Sequence, residues 1–393
     1  MTRKKNALFV FTLGMLCAFA PMCTDMYLPS LPNVMEFYNT TASLSQSSLT
    51  ASFLGLALGQ LIIGPLSDTY GRLGPMLISL ILFTITSLLC AIAPTISLFI
   101  LFRVLQGMSA AGGIVLTRSI ACDLYKEHEL TSFMAFLMSI NSIAPVLAPL
   151  VGALFISFAP WQIVFYVLTA WGVLMFLSTK LYVKESHPVE KRDKTVLSAL
   201  SRMKTDIFNL KFMLSVLSLS FVMAGFFSYL VATPFVFQKI YNFTPIEFSF
   251  TFAFVSICIT VVAAFTGRLS RRVGVVKSVF IAFYLLLISG ALVIVEAIVK
   301  PDNFIYVLLT LAVYCSMMGL TQTAGFGVVM SLKKGGSGAA SGIFGVMYFA
   351  LGSLLSPIVG VLGEKSMLPL GLNMFICAIL AYVLLKIALK IRN

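Results

Sequence analysis

The chain has 393 residues, of which 59% are hydrophobic and only 10% are charged. Because soluble domains carry about 25% charged residues, this composition excludes a soluble enzyme, a secreted disulfide scaffold and a disordered protein. The 27 Lys and Arg residues outnumber the 14 Asp and Glu residues, but they fall in short gaps between long apolar runs. That spacing is typical of a polytopic membrane protein and argues against nucleic-acid binding, which would need the basic residues on one soluble face.

Twelve apolar runs are long enough to cross a bilayer as helices, which takes about 20 residues each. In chain order these predicted spans one to twelve cover 7–29, 46–66, 76–94, 97–117, 131–155, 162–182, 211–237, 247–267, 278–299, 304–328, 340–362 and 370–389. Strands of a membrane barrel would alternate with a period of two, whereas Met76–Phe83 is apolar almost throughout. The sequence therefore predicts an all-α membrane protein with twelve transmembrane helices.

The orientation follows from the distribution of Lys and Arg among the loops. With a cytoplasmic N-terminus, 23 basic residues lie on the cytoplasmic side, three lie on the opposite side and Arg103 lies inside a span. Both termini are therefore predicted to be cytoplasmic. The N-terminus resembles a secretory signal, with Ala18-Phe19-Ala20 as a cleavage-like triplet, but the apolar run continues and eleven spans follow. We interpret it as an uncleaved first helix.

The longest hydrophilic segment predicts a division into two six-helix bundles. The predicted N-terminal bundle covers 1–182, the cytoplasmic linker 183–210 and the C-terminal bundle 211–393. Each half carries similar stretches at equivalent places, which indicates a duplicated six-helix unit. Gly64–Gly71 matches Gly267–Gly274 at an offset of 203, and Pro149–Leu154 matches Pro357–Leu362 at an offset of 208. Transporters built from such repeats bind their substrate near mid-membrane between the halves, which rock to alternate access.

Two charged residues lie inside predicted spans, Asp25 in span one and Arg103 in span four. A charge at the bilayer centre costs on the order of 3 kcal/mol, so such residues are paired or functional. Each lies about six residues, roughly 9 Å, from the outer end of its span, and equal depth permits an ion pair. We predict that Asp25 carries a proton under the influence of Arg103. The alternative is a static ion pair, or an Asp near enough to the surface to be solvated.

Other polar and aromatic side chains inside the spans are candidates for a substrate cavity. The candidates are Tyr27, Gln106, Asn141, Phe226, Tyr229, Tyr314, Phe344 and Tyr348. For Gln106 and Asn141 the sequence favours hydrogen bonding between helices over cavity lining. With 34 Phe residues in the chain, most aromatic side chains are expected to face lipid or neighbouring helices.

No cofactor or metal is expected. The seven cysteines lack a C-x-x-C pair, and the two histidines, His128 and His187, lie in loops. The chain has no ATP-binding loop, because Lys333–Ser337 is too short and wrongly ordered for one. Any driving force for transport must therefore come from an ion gradient.

A tight, charged turn at the cytoplasmic end of span two predicts a gate. Within Gly64–Arg72, Asp68 can accept hydrogen bonds from a helix N-terminus and Arg72 can bind a carboxylate. Contacts of this kind would hold the two halves together on the cytoplasmic side and would break as the cavity opens inward. Gly64 and Gly71 allow the chain to turn tightly.

These residues resemble motifs of the major facilitator superfamily over the whole chain. Gly64–Arg72 is similar to the loop motif G-x-L-x-D-x-x-G-R. Arg103–Gly107 resembles the fourth-helix motif R-x-x-Q-G, whose Arg the resemblance links to proton coupling. Ala144–Gly152 resembles the fifth-helix antiporter motif through Pro145, Pro149 and Gly152, although Ala replaces glycine at two places. The resemblance implies the major facilitator fold.

The most specific resemblance lies in span one, where Asp25-Met-Tyr-Leu-Pro29 is similar to the D-x-Y-L-P of the bicyclomycin/chloramphenicol resistance branch of drug:proton antiporters. Two departures matter. Some relatives carry a second acid two turns before this Asp, and here that position is Cys17. The relatives' R-D pair after span four appears here as Cys122-Asp123, with Arg118 one turn earlier, so an Arg118–Asp123 relay at the gate stays open.

The function predicted first is a proton-coupled antiporter that exports small lipophilic drugs across the bacterial cytoplasmic membrane. The alternative from the same fold is a proton-coupled transporter of a metabolite such as a nucleoside, an amino acid or a siderophore. A third possibility is a receptor or assembly factor without transport, which the duplicated halves disfavour. The expected partners are a small-molecule substrate, protons and the lipid bilayer, without nucleic acid, and the protein is expected to be a monomer.

Overall fold

The computed structural model describes residues 7–125, 127–188, 192, 207–332, 337–362 and 366–391. Within these ranges every regular element is helical. The N-terminal half contains α1 (Ala7–Cys17), α2 (Phe19–Asp25), α3 (Leu31–Phe37), α4 (Ala42–Tyr70), α5 (Leu73–Ala91), α6 (Ile96–Leu124), α7 (Glu127–Ile156) and α8 (Ile163–Tyr182), with a 3₁₀ turn at Leu28–Ser30.

The C-terminal half repeats long helices but contains more irregular turns. Its helices are α9 (Leu210–Phe235), α10 (Pro245–Val273), α11 (Val275–Val299), α12 (Phe304–Leu320), α13 (Phe326–Ser331), α14 (Ser337–Leu355) and α15 (Leu368–Lys390). A π turn follows α9 at Val236–Ile240, and a second π turn, Thr321–Gly325, joins α12 to α13. A 3₁₀ segment, Ser356–Leu362, continues α14.

The predicted twelve spans are confirmed. Among the described residues, eleven helical stretches are long and apolar enough to cross a membrane, and the bent pair Ala7–Cys17 and Phe19–Phe37, taken as one span, makes the twelfth. Several helices run past the predicted apolar edges, as in α4, which has 29 residues. At 1.5 Å per residue such a helix is about 43 Å long, which matches a bilayer with its headgroups.

Span one is broken at two places, and a proline accounts for each break. Proline cannot donate to the carbonyl four residues earlier, and its ring clashes with that carbonyl. Pro21 places this defect at Cys17, where α1 ends, and α2 follows with a bend of 42°. Pro29 places the second defect at Asp25, where α2 ends. The candidate proton carrier therefore lies at the last residue of a helix that Pro29 terminates.

The described residues cluster into two compact units. One comprises those within 1–27 and 51–201, and the other comprises those within 28–50 and 202–393. Residues 28–50 thus group with the C-terminal residues, whereas the sequence-based division places them in the first bundle. The predicted bundle boundaries stay a prediction.

The loops that follow α4 and α10 each contain a glycine with nearly the same positive φ. Gly71 has φ +91° and Gly274 has φ +92°, and no other described glycine has a positive φ. L-residues with a Cβ rarely adopt such values, so both positions favour glycine. Two glycines at the predicted offset of 203 with matching φ are what a duplicated unit predicts.

Small residues bring α4 and α6 close together in the first unit. A Cβ at Gly55 would clash with the backbone of Val104, and one at Gly107 would clash with the backbone of Ser52. The hydroxyl of Ser52 donates to the carbonyl of Arg103 over 3.3 Å. This close contact fixes the stretch of α6 that carries Arg103.

Candidate functional site

Arg103 is the centre of a buried polar network in the first unit. Its side chain is 0% exposed on α6. Nη1 donates to the carbonyl of Cys23 over 3.2 Å and to Oε1 of Gln106 over 2.5 Å. The guanidinium carbon lies 4.8 Å from the ring centroid of Tyr27 and 5.4 Å from that of Phe165. Ring faces and carbonyl oxygens together stabilise a cation that is removed from water.

The two rings that contact this cation, Tyr27 and Phe165, pack against further aromatic rings. Tyr27 lies 5.8 Å from Phe99 and 5.4 Å from Phe165, measured between ring centroids, and Phe99 lies 5.4 Å from Phe165. Trp161 packs edge-on against Phe99 at 5.4 Å. Tyr27 was a cavity candidate from the sequence, and the structure places it fully buried beside Arg103.

Gln106 is fully buried and links Arg103 to α5. Its Nε2 donates to the hydroxyl of Ser87 over 2.8 Å, while its Oε1 accepts from Arg103. Both ends of the amide are therefore satisfied by protein groups. This is the interhelical hydrogen-bonding role that the sequence favoured over cavity lining.

Asp25 lies on the same stretch of chain but is oriented differently. It is 7% exposed, and its carboxylate accepts a hydrogen bond from the hydroxyl of Thr24 over 2.8 Å. That hydroxyl lies 3.0 Å from the carbonyl of Ala20. Among the described residues no ion pair joins Asp25 to Arg103. The guanidinium instead reaches the carbonyl of Cys23, two residues earlier.

The direct ion pair that equal depth suggested is thus not formed in this conformation. Two residues along a helix differ by more than half a turn, so the Cys23 carbonyl and the Asp25 side chain face different directions. The arrangement leaves one acid, hydrogen-bonded to a neutral hydroxyl, two residues along the chain from the carbonyl that binds the fixed cation. An ionisable residue inside a span is by default a candidate for proton transfer.

The fifth-helix motif lies against the broken span one. A Cβ at Gly152 on α7 would clash with the carbonyl of Met26, the residue after Asp25. Pro145 and Pro149 lie inside α7, so the carbonyls of Asn141 and Pro145 lose their helical donors. The half-buried Asn141 therefore lies at a weakened turn of α7.

A second cluster lies at the predicted cytoplasmic end of the first unit, around Arg72. Its Nε donates to Oδ2 of Asp123 over 3.0 Å, and its Nη1 donates to the hydroxyl of Ser67 over 2.6 Å and to Oδ1 of Asp68 over 2.5 Å. Burial alone would lower the pKa of Arg72, but the carboxylates of Asp123 and Asp68 outweigh it and raise the pKa. Arg72 is therefore a fixed cation that joins α4 to α6.

Glu185, which the sequence analysis did not select, completes this cluster. It follows α8 and accepts hydrogen bonds from the backbone N–H groups of Arg72 over 2.9 Å and Leu73 over 3.1 Å. Burial would raise its pKa, but backbone N–H groups of Arg72, His187, Leu73 and Ser186 outweigh burial and hold the pKa below its usual range. In the sequence, Glu185 is marked only as an acid that closely follows a span within a segment rich in Lys and Arg.

Gly71 fits tightly between these groups, and Gly64 does not. A Cβ at Gly71 would lie 2.6 Å from Oε2 of Glu185 and 2.6 Å from Nη2 of Arg192, whereas the nearest atom to a Cβ at Gly64 lies 3.9 Å away on Val115. The structure thus gives a steric reason for glycine at position 71.

The Arg118–Asp123 relay, which the sequence left open, is not formed here. Asp123 accepts from Arg72 and from the hydroxyl of Ser186, the latter over 3.0 Å. The buried Nε of Arg118 has no hydrogen-bond partner among the described residues.

The remaining cavity candidates lie in the second unit and are mostly packed. Tyr314 is fully buried, donates to the carbonyl of Met374 over 3.1 Å and occupies the space where a Cβ at Gly225 would lie. Phe226 and Tyr229 stack with centroids 5.8 Å apart, and Phe344 and Tyr348 stack at 4.9 Å. Tyr314 therefore contributes to helix packing.

Metal-binding side chains do not gather anywhere in the part of the chain that the structure describes, where no three of His, Cys, Asp or Glu come together.

Comparisons with known proteins agree with this architecture. The family described as Major Facilitator Superfamily matches residues 13–357. A Bacillus subtilis (strain 168) protein named uncharacterized MFS-type transporter YdgK is 35% identical over 382 residues, which cover 96% of this chain and 94% of the relative. A bicyclomycin resistance protein homolog from Haemophilus influenzae is 26% identical over 389 residues, covering 96% and 95%.

Among solved structures, a D-xylose-proton symporter aligns with a TM-score of 0.76, covering 99% of this chain and 98% of the symporter. Its sequence identity is 14%, so this likeness concerns the fold alone. The family match spans most of the chain and includes the Asp25 break, the Arg103 network and the Arg72 cluster. The chain therefore belongs to the Major Facilitator Superfamily and is a multi-pass membrane secondary transporter, not an enzyme.

Proposed function

We propose that the protein is a proton-coupled antiporter that exports small lipophilic compounds across the bacterial cytoplasmic membrane by alternating access. The observation that carries the proposal is Asp25, a buried acid at the end of α2 whose carboxylate is hydrogen-bonded to the neutral hydroxyl of Thr24. The D-x-Y-L-P pattern at Asp25–Pro29 and the likeness to a bicyclomycin resistance protein homolog support the drug:proton branch.

In this mechanism Asp25 receives a proton from the outer side and releases it to the cytoplasm as the substrate leaves the cell. Arg103 is the fixed cation of the cycle, because Gln106 and the carbonyl of Cys23 hold its guanidinium in place. A shift of α2 relative to α6 changes the distance between the carboxylate and this cation. Such a shift would change how readily Asp25 binds a proton, which links protonation to the position of span one.

We also propose that the Arg72 cluster acts as the cytoplasmic gate. The residues assigned to it from the sequence are Gly64, Asp68, Gly71, Arg72, Arg118 and Asp123. We add Glu185 because it accepts hydrogen bonds from the backbone of the loop between α4 and α5. The described contacts hold the ends of α4, α5 and α6 as one block. A block of this kind can open or close as a unit during the transport cycle.

The test uses inside-out vesicles that are acidified inside and carry a pH-sensitive dye. For wild type we expect lipophilic drugs from a panel to release part of the proton gradient. Asp25→Asn keeps the side-chain shape but removes the titratable group, so drug-induced proton release should disappear while the protein remains folded and inserted. Glu296→Gln is the matched control, because Glu296 is an acid inside another span and bonds to Thr310.

Undiminished drug-induced proton release by Asp25→Asn would refute the assignment of Asp25. If wild type responds to none of the drugs but does respond to a nucleoside, an amino acid or a siderophore, the protein is a metabolite transporter.

A further inference from the structure

Span ten contains an unusual turn that the proposed mechanism does not use. The π turn Thr321–Gly325 interrupts the span between α12 and α13, and no proline lies in this segment to explain it. Single π turns are rare and occur frequently at functional sites, since they shift the side chains that follow.

Gln322 places an exposed amide deep in the span. The helical stretch Phe304–Ser331 has 28 residues, and Gln322 lies four to five residues from its middle. At 1.5 Å per residue this is about 7 Å, which is well inside a hydrocarbon core of about 30 Å. Its side chain is exposed and makes no hydrogen bond to any described residue.

The neighbouring polar groups of the turn are satisfied locally. The hydroxyl of Thr321 donates to the carbonyl of Met318, and that of Thr323 donates to the carbonyl of Gly319, both over 2.9 Å. Gln322 alone among these three presents its polar group outward. An amide without partners is costly in hydrocarbon, so this face of span ten must meet water or a ligand rather than lipid.

Aromatic rings border this amide. Phe326 lies four residues after Gln322, hence on the same helix face, and is 36% exposed. Its ring contacts Phe344 at 5.2 Å, and Phe344 stacks on Tyr348 at 4.9 Å, both between centroids. A Cβ at Gly327 would have no atom within 4 Å, so the surface beside Phe326 is open.

The opposite face of the same span carries an exposed apolar side chain, as expected for a surface that contacts lipid. Val313 is apolar and 44% exposed, and it lies nine residues before Gln322. Nine residues are two and a half turns, which places Val313 on the other side of the helix. It is also four to five residues from the middle of the span, so the two positions have matching depth.

We infer that Gln322 and Phe326, packed against the buried rings of Phe344 and Tyr348, form a substrate-contacting patch for uncharged, planar aromatic compounds that carry a hydrogen-bonding group. The amide of Gln322 can donate and accept, and the exposed ring of Phe326 offers a surface for stacking. None of the four side chains is charged, which favours a neutral ligand. The inference rests on the proposed transport function and names the substrate class that this unit would contact.

The first test measures water access without using transport. Cysteines are introduced singly as Gln322→Cys, Gly327→Cys and Val313→Cys after the two native cysteines that are not buried, Cys122 and Cys258, are changed to Ser. Reaction with a membrane-impermeant methanethiosulfonate is expected to be at least tenfold faster at positions 322 and 327 than at 313. Equal rates at positions 322 and 313 would overturn the inference.

The second test measures ligand contact, with chloramphenicol as an uncharged aromatic amide and tetraphenylphosphonium as a cation without a hydrogen-bonding group. With Gly327→Cys as reporter, chloramphenicol is expected to slow labelling at least fivefold. Adding Gln322→Leu should raise the half-protecting concentration at least fivefold, and Gln322→Asn should raise it less. Failure of chloramphenicol to protect, or equal effects of Leu and Asn, would overturn the assigned ligand class. Stronger protection by tetraphenylphosphonium than by chloramphenicol would overturn it too.

These outcomes are separate from those of the antiport test. Rapid, chloramphenicol-protected labelling in a protein whose Asp25→Asn variant retains full proton release would refute the role of Asp25 and leave the patch intact. If position 322 is labelled as slowly as position 313 while drug-induced proton release depends on Asp25, the patch alone would be refuted.

Discussion

Glu185 offers the sharpest prediction about the gate, because its hydrogen bonds are local and lie outside the spans. Its carboxylate accepts from the backbone N–H groups of Arg72 and Leu73 at the start of α5. It also accepts from the N–H groups of Ser186 and His187, over 3.0 and 2.9 Å. Glu185→Ala removes the acceptor for all four donors and unties the loop that carries Arg72.

The size of the effect follows from the two bonds that cross to α5. A hydrogen bond to a charged group contributes about 1.5–3 kcal/mol when buried, but Glu185 is exposed and water replaces part of each bond. Loss of a helix N-cap costs about 0.5–2 kcal/mol. We therefore expect Glu185→Ala to lower the free energy of unfolding of the purified transporter by about 1–2 kcal/mol, with Glu185→Gln intermediate.

The pH dependence has a definite sign. The folded pKa of Glu185 lies below its ordinary value of 4.5, so its contribution is fully present above that value and is lost as the pH falls through the lower folded pKa. The measurement is denaturant unfolding in detergent at neutral and at acidic pH, with the exposed neighbour Lys184→Ala as control. A Glu185→Ala deficit no larger than that of Lys184→Ala, or one that persists undiminished at acidic pH, would refute the capping role.

Two further predictions concern Arg103 and the paired glycines. Arg103→Ala should impair transport more than Arg103→Lys, because lysine keeps a cation beside Tyr27 whereas alanine leaves buried acceptors unpaired. If both variants transport at the wild-type rate in vesicles, Arg103 is dispensable. Gly71→Ala should destabilise more than Gly274→Ala, since both strain a positive φ by about 1–3 kcal/mol but only position 71 is crowded. Unfolding midpoints that rank the two glycine variants in the opposite order would contradict this.

Much of the fold could be predicted because the hydropathy of a span is a property of a continuous stretch of sequence. The apolar runs located all twelve spans. The second break of span one and its continuation through α3 to Phe37 were missed, because polar residues such as Asn33 and Glu36 dilute the apolar run.

The sites were predicted less completely, since partners depend on tertiary geometry. Equal depth in the sequence permits a pair of Arg103 and Asp25, but Nη1 of Arg103 donates to the carbonyl of Cys23, two residues before the acid. Gln322 was missed because a π turn without proline has no local sequence mark. Glu185 was missed because its four donors are backbone groups, which carry no side-chain pattern.

The proline after α2 also has a mechanical consequence. In most helices, bending at one residue breaks the backbone hydrogen bond that spans it, and the cost of losing this bond makes the helix stiff. Position 29 has no N–H, so the bond from it to the carbonyl of Asp25 is absent in every conformation of the chain. Span one can therefore flex at Asp25 without losing that bond. The residue proposed to carry the proton therefore lies at one of the two points where span one lacks a backbone hydrogen bond, so gaining or losing its charge acts where the helix can bend.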